Sequence, residues 1–180
     1  GQIGVLQGIE DALQNPDLAW TMIDATLSAL INNGGSKKST ATDEALGRSR
    51  GELTTKIHAV VDALGNPLRV HLTPGQWADS HQALILLEDI DSEAVITDKA
   101  YDTNAIVAGL AAQGVDVVIP PKKNRLDQRP YDENLYADRN KIERFFKQLK
   151  VNRRVATRYD KTAVSFLAFV HLACVLIWLR

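Results

Sequence analysis

Four residues in the C-terminal third of the chain carry its densest chemistry: Tyr136, Arg139, Glu143 and Lys150. Their offsets are 0, 3, 7 and 14. A helix turns about 100° per residue, so those offsets return to nearly one direction and make a single polar stripe. Ile142, Phe145, Phe146 and Leu149 fall largely on the other side and give residues 136–150 a face to bury. One carboxylate thus stands in a row with two cations and a phenol. The same row also suits a solvated helix face, with Arg139 pairing Glu143 and Glu143 pairing Lys147. The helix alone leaves both readings open.

Two further acids could join Glu143. Asp24 lies in an early apolar segment that reads as a strand, and Asp98 closes the short apolar run 94–97. Ligands and reacting groups in open α/β sheets gather near the carboxyl ends of strands. Three acids meeting there would form an all-oxygen site, which hard Mg²⁺ prefers. Two such ions about 4 Å apart would activate the attacking oxygen and stabilise the leaving oxygen of a phosphodiester. Three buried acids also repel one another, so at least one should be harder to ionise without metal. Other acids, among them Asp62, Asp79, Asp102 and Asp132, read as turn residues or caps. Spacing alone does not select the three.

The chain has 180 residues, 45% hydrophobic and 24% charged, which suits one globular domain with a sizeable core. Its start shows no secretory signal. A lone cysteine, Cys174, excludes a disulfide framework and a Cys-based zinc site, and makes a reducing compartment the default. The net charge of −1 hides an asymmetry: residues 139–158 hold eight cations and one acid, Glu143. Such a surface implies a polyanionic partner.

These residues need a scaffold. A short helix is expected within residues 1–16, a strand over 18–28 and a long mobile loop over 32–50. Strands over 52–62 and 67–73 form a hairpin about the turn 63–67. A helix over 79–90 follows, capped by Asp79 or Ser80. Then come a strand over 94–97, a helix over 102–113 capped by Asp102 or Thr103 and stopped by Gly114, and a strand over 115–119. A basic loop over 122–132 precedes the striped helix. A basic connector, 151–159, and an apolar helix, 162–179, complete the chain. That last helix is short and polar-interrupted for a membrane span, so it reads as core. Strands alternating with helices around one hairpin predict a mixed α/β sheet covered by helices.

With these blocks in place, the chain resembles bacterial insertion-sequence transposases of the DDE type, in the group with the pattern Y-x2-R-x3-E-x6-K. Tyr136, Arg139, Glu143 and Lys150 keep every spacing of that pattern. The blocks ALGRSRGELTTKIH (45–58), DALGNP (62–67), TPGQ (73–76), Asp79, DKAYD (98–102), VIPPKKN (118–124), RVATRYDK (154–161) and LIWLR (176–180) resemble the family in the same order.

The resemblance implies a ribonuclease-H-like (retroviral-integrase-like) mixed sheet flanked by helices over 18–180, with 1–17 a remnant N-terminal segment. It implies Asp24, Asp98 and Glu143 as catalytic and metal-binding residues, with Mg²⁺ or Mn²⁺, in two ions, as cofactor. It implies metal-dependent strand cleavage and strand transfer at insertion-sequence ends, without a covalent protein–DNA intermediate. Partners would be double-stranded DNA, as transposon ends and target, and further copies of the chain on that DNA, in a bacterial cytoplasm and not at a membrane. Arg139 and Lys150 would contact phosphate near the scissile bond, and Tyr136 would stack or hydrogen-bond. Lys122, Lys123 and Arg125 before the helix, and Arg153, Arg154 and Arg158 after it, read as sequence-independent phosphate contacts.

Two departures from the family support an alternative. Only 23 residues precede Asp24, where relatives carry a helical DNA-binding segment, and LSALIN (27–32) lacks the usual basic residue and histidine. The alternative is a truncated, inactive relic with only non-specific DNA binding. Among the remaining residues, His58 and His71 read as strand surface, and His171, Cys174, Trp20 and Trp178 as core. Trp77 reads as loop packing, with base stacking as its functional option.

Overall fold

A computed structural model describes residues 16–31, 44–49, 51–126 and 128–180. The expected N-terminal helix and most of the loop 32–50 lie outside the described residues.

The long central strand β1 (Trp20–Leu30) carries the sheet. Strands β2 (Gly47–Ser49), β3 (Glu52–Val61) and β4 (Pro67–Pro74) lie to one side, antiparallel, in the order β2-β3-β1 with β4 also on β3. The short strands β5 (Ala94–Ile96) and β6 (Asp116–Val118) lie to the other side, parallel to β1. Read from β4 through β3, β1 and β5 to β6, this is a mixed sheet, as the alternation of strands and helices around one hairpin predicts. The hairpin closes where Asp62 accepts hydrogen bonds from Leu64 N at 3.0 Å and Asn66 N at 2.7 Å, leaving Gly65 at φ +93°.

Alternation along the strands makes two apolar faces. Met22, Ile57, Ala59, Ile96 and Val118 face the striped helix and the last helix; Ile23, Val60 and Val95 face the two short helices that precede β6. Those short helices are α1 (Ala83–Leu87) and α2 (Asn104–Ala112). The expected helix 79–90 is shorter, because Asp79–Gln82 is a 3-10 turn without a side-chain cap. Thr103 caps α2 by accepting from Ile106 N, and Gly114 ends the segment at φ +75°.

The striped segment begins with α3 (Glu133–Tyr136), capped by Asp132, tightens into a 3-10 turn at Ala137–Arg139 and continues as α4 (Asn140–Val151). The predicted basic connector instead contains a helical turn, α5 (Arg153–Ala156), and strand β7 (Thr157–Arg158). Strand β7 pairs in parallel with the far end of β1, at Ala29 and Leu30. The LSAL stretch is therefore ordinary sheet: Ser28 is buried and donates to Val155 O at 2.9 Å. The last helix, α6 (Ala163–Trp178), buries Phe166, Val170, Ala173 and Cys174. No helix among the described residues is long and apolar enough to cross a membrane.

Three expectations are corrected here. His58 is fully buried, because β3 is covered on both faces. His171 is exposed, since it lies off the one stripe that α6 buries. The end of the predicted loop 32–50 is strand β2, paired with the first residues of β3.

Candidate metal and DNA site

Sheet register brings two of the three acids together. β1 and β5 run parallel with Met22 opposite Ile96. Two residues further along each, Asp24 on β1 and Asp98 just past the end of β5 leave this paired edge on neighbouring segments. Met22 and Ile96 both face α4, so Asp24 and Asp98, two residues on, share that face. Regular pairing stops just before them, which opens the sheet at the carboxyl end of β5, where ligand crevices form.

Each acid is fixed by backbone. Asp24 Oδ1 accepts from Ala25 N at 2.8 Å. Asp98 Oδ1 accepts from Ala100 N at 2.8 Å and caps the 3-10 turn Lys99–Tyr101, with Tyr101 N returning to Asp98 O at 3.1 Å. Burial pushes the Asp24 carboxyl above the ordinary carboxylate range, against the pull of the Ala25 N–H and of Arg139, and Asp98 adds to the rise. Beneath them the Tyr101 hydroxyl is buried without a hydrogen-bond partner among the described residues. Burial, then the charges of Asp79, Asp24 and Asp98, hold that phenol protonated.

The striped helix lies over β1 rather than toward solvent. Arg139 Nη2 donates to Asp24 Oδ2 at 2.6 Å, and its Nη1 donates to Glu143 Oε1 at 2.6 Å. Burial works against the guanidinium's charge, but Asp24, Tyr136, Asp98 and Glu143 outweigh it and raise its pKa. Arg139 therefore bridges an acid of β1 and an acid of α4, and the charge of Asp98, at the end of β5, also favours its guanidinium. Among the described residues no three His, Cys, Asp or Glu side chains are grouped closely enough to hold a metal ion. The donor chemistry nonetheless suits a hard divalent cation: it is all carboxylate oxygen, and two of the three acids already share a cationic partner.

The remaining sequence-derived candidates divide. Lys150 Nζ donates to Leu27 O at 2.9 Å, tying α4 to β1, and burial lowers its pKa. Tyr136 is half-buried, edge-on to Tyr131 with ring centroids 5.5 Å apart. Lys123 and Arg153 are exposed and Lys122 is partly so. Arg154 is exposed as well, stacked 4.0 Å over Phe169 and paired with Asp160. Arg125 is committed to Asp102, as below. Arg158 corrects its assignment to phosphate contact: it is wholly buried and donates to Asp160 O, Glu44 O, Thr55 Oγ1 and Lys161 O. β7 carries it into the interior, where no DNA reaches.

Sequence reading missed one organiser. The carboxylate of Asp102 is fully buried and accepts from Lys122 N at 2.8 Å, Arg125 Nε at 2.7 Å and Arg129 Nη2. Burial would raise its pKa, but Arg125, the Lys122 N–H and Arg129 bring it below the ordinary carboxylate range. It binds the basic loop to the segment that carries Asp98. Its signal was present as DKAYD, but a cap for α2 was the simpler reading.

The chain matches the family described as transposase DDE domain over residues 20–178. A Brucella ovis protein named as a transposase for insertion sequence element IS6501 is 45% identical over 130 residues, 71% of this chain and all of that protein. A chain in the crystal structure of the Mos1 strand transfer complex aligns at TM-score 0.38 and 14% identity, over 98% of this chain. The chain spans about 61% of that Mos1 chain.

Proposed function

The chain belongs to the transposase DDE domain family, and from that membership we propose that it cuts DNA strands at insertion-sequence ends and transfers them to target DNA. In this reading Asp24, Asp98 and Glu143 hold Mg²⁺ or Mn²⁺, in two ions. The observation that supports it is that Arg139 bridges Asp24 of β1 and Glu143 of α4, with Asp98, at the end of β5, near enough for its charge to favour the guanidinium. A metal held by these three carboxylates would activate the attacking oxygen and stabilise the leaving oxygen of a phosphodiester.

The chain's own residues do the rest. The Ala25 and Ala100 N–H groups orient the carboxylates of Asp24 and Asp98 before any ligand arrives. Lys150 keeps α4, and so Glu143, in place over β1. Exposed Lys123 and Arg153, on either side of α4, offer phosphate contacts that position a duplex without reading its bases.

Asp98→Asn and Glu143→Gln should each abolish Mn²⁺-dependent cleavage of insertion-sequence-end DNA while leaving duplex binding in place. Cleavage persisting in both variants overturns the triad. The second reading, a relic that binds DNA without cutting it, draws on the guanidinium set between the acids and the lack of a ready metal cluster among the described residues. Mn²⁺ separates the two: a competent site gains thermal stability from the metal, and a relic does not.

A further inference from the structure

We infer that Arg139 is a built-in counter-cation of the acid site, and that metal entry and DNA binding are coupled through its displacement. The inference rests on the proposed metal-binding role of Asp24, Asp98 and Glu143.

Geometry sets the conflict. The two Nη groups of Arg139 each hold a carboxylate at 2.6 Å, one from β1 and one from α4. A guanidinium between two carboxylates keeps them a guanidinium's width apart. A divalent ion needs their oxygens within roughly 2.0–2.6 Å of one point. The Asp24 and Glu143 oxygens that hold Arg139 are therefore not free to close on a shared metal while they hold it. The Arg139 bonds fix the side chain where it blocks closure of the acids. Its charge screens Asp24 and Glu143 from each other.

Arg139 is also equipped to leave. Its Nε is buried and has no hydrogen-bond acceptor among the described residues, so the present position satisfies only part of the side chain. Glu143 is half exposed, so its pair with Arg139 opens to solvent, while the Arg139–Asp24 pair, each side chain under a fifth exposed, lies deeper in the crevice. A DNA phosphodiester offers the same two-oxygen geometry and the same single negative charge as a carboxylate, so it can take the guanidinium fork in a carboxylate's place. Exchange of carboxylate for phosphate costs Arg139 little and frees the acids for metal. Linkage then requires reciprocity: the factor by which DNA raises metal affinity is the factor by which metal raises DNA affinity.

The test is calorimetric titration of Mn²⁺ into the wild-type chain and Arg139→Gln, each with and without a short duplex of arbitrary sequence. Asp98→Asn with the same duplex serves as the blank for Mn²⁺ taken up by DNA. Without DNA, Arg139→Gln should bind Mn²⁺ about tenfold more tightly than wild type, the size expected when two part-exposed ion pairs no longer compete. The duplex should tighten Mn²⁺ binding to wild type and leave Arg139→Gln unchanged. Its thermal midpoint should fall without metal and recover with Mn²⁺ by more than the wild type gains.

Equal or weaker Mn²⁺ binding by a folded Arg139→Gln overturns the inference. If that variant does not fold, an unchanged wild-type Mn²⁺ affinity with duplex overturns it instead. Mn²⁺ binding by wild type that is indifferent to Arg139 overturns the inference and leaves the proposed metal site standing. No Mn²⁺ binding by any form removes the metal site itself, and the inference with it.

Discussion

Lowering the pH should expose the cost of burying His58. This histidine sits in the middle of β3 with no exposed surface, its Nε2 in a 2.7 Å hydrogen bond with Thr73 Oγ1. Its Nδ1 has no partner among the described residues. Burial pushes the imidazole from 6.5 down to about 4; Asp79 opposes the fall, and Lys56 and His71 add to it. A histidine depressed in the fold is neutral there while the unfolded chain takes up the proton first. Its contribution to stability is therefore present above about pH 6.5 and is lost as pH falls through about 4. Each pH unit of separation is worth about 1.4 kcal/mol, so the whole loss is about 3 kcal/mol. The assay is a series of urea melts between about pH 7 and pH 4 on wild type and His58→Gln, which keeps a polar partner for Thr73. Other titrating groups are common to both chains, including Asp24, whose raised pKa acts in the opposite sense. The difference between the two curves should shrink by about 2 to 3 kcal/mol across that window. Parallel curves would show that His58 titrates as freely in the fold as out of it, and the burial argument would fall.

Two further outcomes follow from buried charges. Asp102→Asn should cost about 3 kcal/mol in a denaturant melt, because it leaves Arg125 and Arg129 without their carboxylate; a loss below about 1 kcal/mol would show that the loop does not depend on it. Arg158→Met should cost about 3 kcal/mol or more by stranding four internal acceptors, while the molecules still folded bind duplex DNA as wild type does. Weakened DNA binding at unchanged stability would return Arg158 to the phosphate-contacting set.

Local order was legible wherever a short-range rule applied. The hairpin followed from alternation and a turn rich in Asp, Gly and Asn; Thr103 and Gly114 marked the ends of α2; the Ile142, Phe145, Phe146 and Leu149 face of α4 is buried as its period required. Two of the errors share a cause. Basic residues in 151–159 read as solvent-facing because charge is usually exposed, yet β7 pairs with β1 and takes Arg158 inside. The same bias put His58 on a surface that β3, covered on both faces, does not have.

The candidate site divides along the same line. Residue types and spacing determined by themselves that Tyr136, Arg139, Glu143 and Lys150 share one helical face, since 3.6 residues per turn is a local property. They could not say whether that face meets water or the sheet. Only the tertiary structure decided that it lies over β1, with Arg139 bonded to Asp24 and Lys150 to Leu27 O. Nor could spacing select Asp24 and Asp98 from among the other acids. Their adjacency depends on the parallel register of β1 with β5, a pairing across more than 70 residues that no periodicity along the chain encodes.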